Sequence, residues 1–299
     1  MISKKEKRLR AEALWRFETW LGVAAGKTVE EAARASPQLL SELLEEYLYQ
    51  LFETRWSRGE ARQALLATGD AHGWIRSSLS GAWRILRHWE RLEPDKARAP
   101  CPILWLRALT VAAATWSWPR VALTLLLGFF GLLRPSEICG LMRSDVLLPL
   151  DHGMGGFLML RIREPKSRWA SSRQQYVRVG KEAPVAWLVQ ELGLIPLSSQ
   201  IWPGSPATFS KRLAVLSRAT LGRADLVLPS GLRTGGATFV FQNSYEDLVR
   251  VQWRGRWKDS RMLAIYIQEL SAAMVQMRLQ QAEAARVSEL AALFDVVFA

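Results

Sequence analysis

Thirteen consecutive uncharged residues, Val121 to Leu133, constrain this chain more than any other stretch. A helix needs about 20 apolar residues to span a bilayer core, so this shorter run reads as a helix buried inside a globular core. Directly behind it stands Arg134, followed by Pro135, Ser136 and Glu137. A guanidinium delivered to the end of a buried helix needs an anionic partner or a task that uses its charge. Pro135 suits the first turn of a new helix, and Glu137 then faces the positive end of that helix dipole.

The remaining periodicity is mostly helical. Leu9, Ala13, Phe17 and Leu21 recur at helical intervals, with a break expected over Gly22 to Lys27. Ser36-Pro37 opens a second apolar helix, and Asp70 or Ser77 is the expected cap of the helix carrying Trp83, Leu86 and Trp89. Prolines and mixed charges without periodicity follow, which predicts a helical domain over 1–94, a linker over 95–101 and a second domain over 102–299. Within the second domain, 157–163 and 175–179 alternate as strands. The expected class is therefore mainly α, with a small β-hairpin or three-stranded sheet. Helices are expected again from Val185, over Ala207–Ala219, over Gly235–Gln242 and from Asp247 onward.

Charge narrows the partner. Of 299 residues, 40 are Lys or Arg and 28 Asp or Glu, a formal balance of +12. That excess favours a polyanion, bound with release of its counterions. The region 161–181 is densest, with net charge +6 and with Lys166, Arg168 and Arg173 near its middle. In the first domain Arg55, Arg58, Arg62, Arg84, Arg87 and Arg91 interleave with tryptophans. Arg84, Arg87 and Arg91 share one helical face, suited to tracking a phosphate strand; the tryptophans read as core. Two cysteines, Cys101 and Cys139, and histidines only at 72, 88 and 152 offer no disulfide framework and no metal-ligand spacing, so neither metal nor cofactor is expected. Lys4 to Arg8 lacks an apolar segment behind it, so no secretory signal is expected, and the basic cluster reads as a solvated helix start before a nuclear address. An intracellular, DNA-associated protein, without a membrane partner, is the expectation.

A second arginine box lies far downstream. Leu-Pro-Ser-Gly-Leu-Arg-Thr-Gly-Gly places Arg233 in an expected turn leading into a helix, and Gly-Arg-Trp places Trp257 nine residues before Tyr266. These boxes, with Gly-Leu-Leu-Arg-Pro-Ser-Glu around Arg134, resemble the tyrosine recombinase (phage-type integrase) family in order and interval. The resemblance covers 106–270 and implies a two-domain, C-shaped clamp on duplex DNA. It implies Arg134 and Arg233 as phosphate ligands, Glu137 as their buttress, Lys166 as general acid, Trp257 at the position of His or Trp, and Tyr266 as nucleophile. Each role fits its side chain. Forked guanidinium donors match two phosphate oxygens, and a tyrosine hydroxyl, ordinarily protonated at neutrality, needs nearby cations to become a nucleophile. The Gly-Arg-Trp form resembles recombinases of eukaryotic mobile elements, which would place the protein in a nucleus.

One position departs from the pattern. The family usually carries a histidine three residues before the second arginine, and here Ser230 stands there. A hydroxyl donates to a phosphate oxygen but shuttles no proton near neutrality, and general acid–base help is usually worth about 10²–10⁴-fold. Ser230 also reads as a plain helix N-cap. A DNA-binding protein derived from a recombinase, with weak or no catalysis, is therefore the rival reading; a helical interaction protein without DNA, and a type IB topoisomerase, stand further off. Finally, a continuous helix is expected from Ala272 to Ala299. Its stripe of Val287, Leu290, Leu293, Phe294 and Val297 packs either on its own domain or into a neighbouring protomer of a homotetramer on two DNA sites.

Overall fold

A computed structural model describes residues 4–93, 99–165 and 174–299, the side chains of Lys5 and Met262 apart. The chain divides into two compact units, 1–97 and 98–299. Lys166, Arg168, Arg173 and most of the expected linker lie outside the described residues.

The first unit is helical: α1 Lys4–Ala25, α2 Val29–Ala35, α3 Pro37–Glu53, α4 Arg58–Ala71 and α5 Ser80–Leu92. Its core closes around Phe17, Leu21, Leu40, Leu44, Leu48, Leu65 and Leu86. Ser36 caps α3 by accepting from the Leu39 amide at 3.3 Å, with Pro37 in the first turn. Two expected boundaries are corrected. The α1 helix runs through Gly22 to Ala25, because its apolar face continues onto the core there. Residue Leu79, buried and without a side-chain cap, precedes α5. Asp70 sits inside α4, where it accepts from Arg76 Nη2 at 2.8 Å and pairs with Arg10.

The second unit begins with α6 Ile103–Thr115, α7 Pro119–Phe130 and α8 Pro135–Gly140. Strand β1 Val146–Leu147, the short helix α9 Pro149–His152, and strands β2 Leu158–Ile162 and β3 Gln175–Val179 follow. The sheet is antiparallel in the order β1-β2-β3, pairing Val146 with Leu160 and Leu160 with Val177. Alternation places Leu158, Leu160, Ile162, Val177 and Val179 in the core and leaves Tyr176 and Arg178 outward. Then come α10 Val185–Gly193, α11 Pro206–Leu221, α12 Pro229–Gln242, α13 Leu248–Gly255, α14 Ser260–Ala264, α15 Glu269–Gln276, α16 Gln281–Ala292 and α17 Phe294–Val297. As the thirteen-residue run implied, α7 is buried along its length from Val121 to Phe130, wrapped by α6, α8, α10, α11 and α12. Among the described residues no helix is long and apolar enough to cross a membrane.

Three expectations for this unit are corrected. Residues Ala99 to Cys101 are no free linker: the Cys101 amide donates to the Gly231 carbonyl at 3.0 Å, and Cys101 is buried. The α12 helix starts at Pro229, so Arg233 lies within a helix and not in a turn before it. Helix-interior glycine costs about 1 kcal/mol relative to alanine, which is why the sequence reads as a helix only from Gly235 onward. Packing overrides that penalty: a Cβ on Gly235 would stand 1.9 Å from the Cys101 carbonyl oxygen, so glycine is what lets the two backbones touch. Lastly, the C-terminal stretch is broken into α15, α16 and α17, and its stripe is covered by its own unit. Val287, Ala291, Phe294 and Phe298 join the main core against α6 and α11, with Phe298 edge-on to Trp187 at 4.7 Å. Leu293 alone of the five stripe residues is exposed. The tail's apolar face is thus already occupied by its own domain.

Candidate active site

The site is assembled where α7, α12 and α13 end or begin. After α7 the chain turns through Gly131 and Leu132, and Leu132 adopts a left-handed backbone with φ 48°. For a bulky residue that conformation is strained, and it holds the Leu132 carbonyl in a pocket shared by two guanidinium groups. Arg233 Nη1 donates to that oxygen, and Arg256 Nη2 does so at 3.4 Å. Arg134 follows as the residue before α8. Its amide donates to Glu137 Oε2 at 2.9 Å and its Nη1 to Glu137 Oε1 at 2.8 Å. The buried partner that Arg134 required is therefore Glu137, three residues on.

Glu137 has a second cation, one that the sequence motifs did not single out. Arg256 Nη2 donates to Glu137 Oε2 at 2.8 Å and Nη1 to Oε1 at 3.4 Å. Arg256 caps α13 in a left-handed backbone, φ 58° and ψ 42°, which turns it back toward α8. Its side chain is 8% exposed and that of Glu137 is 3% exposed. Burial alone would raise the Glu137 carboxyl, but the charge and hydrogen bond of Arg256, then the amide and charge of Arg134, hold it below the usual carboxylate range. Arg256 was legible in the Gly-Arg-Trp triplet, but a lone basic residue at a helix end ordinarily serves the helix dipole.

Arg233 is among the largest fully buried side chains of the molecule. Beyond Leu132 it donates from Nη2 to the Gly255 carbonyl at 2.6 Å. Its guanidinium carbon lies 4.4 Å from the centre of the Trp257 ring and 5.5 Å from that of Tyr266, and the two rings are 4.9 Å apart. Burial, with the like charges of Arg134 and Arg256, pulls Arg233 down to about 9, so it remains a cation at neutral pH. Trp257 reaches this place by folding back over Gly255, where any Cβ would fall 1.5 Å from the indole. Tyr266 is half-buried and sits in the turn after α14, not on a helix; its amide donates to the Leu263 carbonyl at 2.8 Å. Among the described residues its hydroxyl makes no hydrogen bond.

Ser230 is corrected as well. Leu228 is the residue before α12 and Ser230 lies in the first turn, so it is not the N-cap; its carbonyl accepts from Thr234 Oγ1 at 3.4 Å. An open cleft of about 640 Å³ lies beside Glu137 and runs along β2 to Pro165, just before Lys166. Arg161 and Arg163 at its edge both bond the buried Asp145, at 3.0 and 2.6 Å, so part of the positive density expected there is internally paired. In the first unit, Arg84, Arg87 and Arg91 are exposed on α5 as the spacing implied. Arg55 is exposed, Arg62 pairs with Glu90, and Arg58 donates to the Glu93 carbonyl. Trp89 is core, whereas Trp56 and Trp74 are exposed.

No family model and no curated protein sequence matches the chain. Solved structures do. XerH site-specific recombinase, in its post-cleavage complex with a palindromic difH substrate, superposes with a TM-score of 0.55 over 87% of this chain and 75% of that one. The chain has the tyrosine recombinase fold. Identity to that structure is 16%, so the likeness is one of fold. The pre-cleavage complex of XerH with difH is similar at a TM-score of 0.45 and 16% identity, covering 78% of this chain and 68% of that one.

Proposed function

We propose that this chain cuts and rejoins duplex DNA through Tyr266. The observation that carries the reading is the clustering of three arginines, Arg134 and Arg256 on the carboxylate of Glu137 and Arg233 with Arg256 on the Leu132 carbonyl, with Tyr266 beside Arg233. Three cations and one anion leave the pocket in need of negative charge, and two buried donors with no partner among the described residues, Arg233 Nε and Arg256 Nε, mark the same deficit. A phosphodiester supplies that charge. Tyr266 Oη then attacks phosphorus and gives up its proton to water, the bond to the 5′ oxygen breaks, and a 3′-phosphotyrosyl linkage remains. Arg134 and Arg233 hold the non-bridging oxygens as charge grows on them, and Lys166 is assigned the proton for the leaving 5′ oxygen. Attack by a 5′-hydroxyl from a second duplex reverses the step. The phosphotyrosyl bond conserves the energy, so rejoining consumes no nucleotide. Four protomers on two sites, and a role in a mobile element, belong to the same proposal, as do the exposed arginines of α5 as phosphate contacts.

Duplexes nicked at varied positions, so that the freed 5′-hydroxyl fragment diffuses away, test the reading by trapping an SDS-stable adduct. The expected result is an adduct from the wild-type protein and none from Tyr266→Phe. A second reading, DNA binding without catalysis, is favoured by Ser230, whose hydroxyl makes no hydrogen bond to the site among the described residues. Salt-sensitive duplex affinity with no adduct would establish that reading in place of the first.

A further inference from the structure

We infer that Arg256 is the positioning residue that locks Arg134 and Arg233 into one phosphate-binding fork. The inference rests on the proposed strand-transfer function and adds a residue to it. Its basis is connectivity. Arg256 shares the Glu137 carboxylate with Arg134, Nη2 to Oε2 at 2.8 Å, and shares the Leu132 carbonyl with Arg233. The residue before it, Gly255, offers its own carbonyl to Arg233 Nη2 at 2.6 Å. A ring of contacts therefore runs from Arg134 through Glu137 to Arg256, along the backbone to Gly255, and on to Arg233. The Leu132 carbonyl, two residues before Arg134, closes the ring by accepting from both Arg233 and Arg256. The left-handed backbone of Arg256 is what points this link the right way, and a non-glycine residue keeps that conformation only where its surroundings demand it.

The chemistry explains why arginine stands there. Arg134 reaches both oxygens of Glu137, one through its amide and one through Nη1. Arg256 adds a guanidinium fork to the same two oxygens, which fixes the carboxylate plane and with it the direction in which the Arg134 donors are presented. Lysine offers one point charge and no fork, so it would satisfy the charge of Glu137 without fixing its plane. At Ser230 no imidazolium can add charge, so Arg256 also restores one positive charge to the pocket.

Single-turnover cleavage at saturating protein, duplex affinity, and the melting temperature of the DNA-free protein with inorganic phosphate against chloride at equal ionic strength make the test. Misplacing a reacting group by about 1 Å costs on the order of a hundredfold in rate. We expect Arg256→Gln to lose about that much in rate with duplex affinity unchanged, and Arg256→Lys to recover part of the loss. Phosphate should raise the melting temperature of the wild type and not of Arg256→Gln. Cleavage by Arg256→Gln within about threefold of wild type overturns the inference. If Arg256→Gln does not fold, Arg256→Lys decides: slowed cleavage at normal affinity supports the assignment, and wild-type cleavage overturns it. If the wild type forms no adduct, the strand-transfer reading fails, yet the phosphate arm still reports on Arg256. A phosphate shift present in wild type and lost in either variant supports the inference; an equal shift, or none in wild type, overturns it.

Discussion

Replacing Glu137 by glutamine removes the negative charge that Arg134 and Arg256 share and leaves the shape almost unchanged. Its carboxylate accepts from the Arg134 amide at 2.9 Å, from Arg134 Nη1 at 2.8 Å and from Arg256 Nη2 at 2.8 Å. Removing one member of a buried ion pair costs about 3–5 kcal/mol. The amide retains one acceptor oxygen, which places the expected loss near the lower end, about 3 kcal/mol. For a unit of about 200 residues that is a fall of about 6–12 °C in melting temperature. The loss depends on pH in a defined direction. Because the folded carboxyl titrates below its ordinary value of about 4.3, its contribution is full above that pH and disappears as pH falls through the lower, folded value. Calorimetry of wild type and Glu137→Gln between neutral and acid pH measures this directly. The gap should be constant from pH 7 to about 5 and close below about 4.3. Adding Arg256→Gln to Glu137→Gln should cost less than the sum of the single losses by about 1–3 kcal/mol, since the two groups share one interaction. A Glu137→Gln protein as stable as wild type at pH 7, or a gap that widens on acidification, would refute this picture of the site.

Arg233→Ala should lower single-turnover cleavage by at least about a hundredfold, from lost charge stabilisation; Arg134→Ala should do the same, and near-normal rates would put the phosphate elsewhere. Ser230→His should leave duplex affinity unchanged and raise the cleavage rate, because imidazole restores a proton acceptor near operating pH; a rate that does not rise shows that the site no longer uses that position. Phe294→Ala should destabilise the second unit by about 3–5 kcal/mol, since Phe294 is buried with Phe298 against α6. An unchanged unfolding free energy, with loss of assembly on paired sites instead, would return the tail to the role of an intersubunit hook.

The elements most legible from sequence were those whose burial is continuous. Val121 to Phe130 could only be an interior helix, and the alternation over 158–162 and 175–179 gave the hairpin. Arg134, Arg233, Trp257 and Tyr266 could be named from spacing because the family pattern records which residues meet. Their secondary structure was harder. The expected start at Gly235 was six residues late, and the close approach of the Cys101 and Phe129 backbones shows why α12 accepts glycine at 235 and 236. Arg256 escaped notice for the opposite reason. Its partner Glu137 lies 119 residues away in sequence, and the left-handed position that turns the chain toward it is held by the arginine itself and not by a glycine. The packing of the tail stayed open in the sequence because an apolar stripe shows that a partner exists without naming it; α6, already rich in buried residues, covers it.

The central claim is that Tyr266 carries the DNA strand between cutting and rejoining. Protease digestion of the trapped adduct, followed by mass spectrometry of the nucleotide-linked peptide, tests it most directly. A nucleotide joined through its 3′-phosphate to Tyr266, and no adduct from Tyr266→Phe, is the expected result. A nucleotide found on another residue, or an undiminished adduct from Tyr266→Phe, would contradict it.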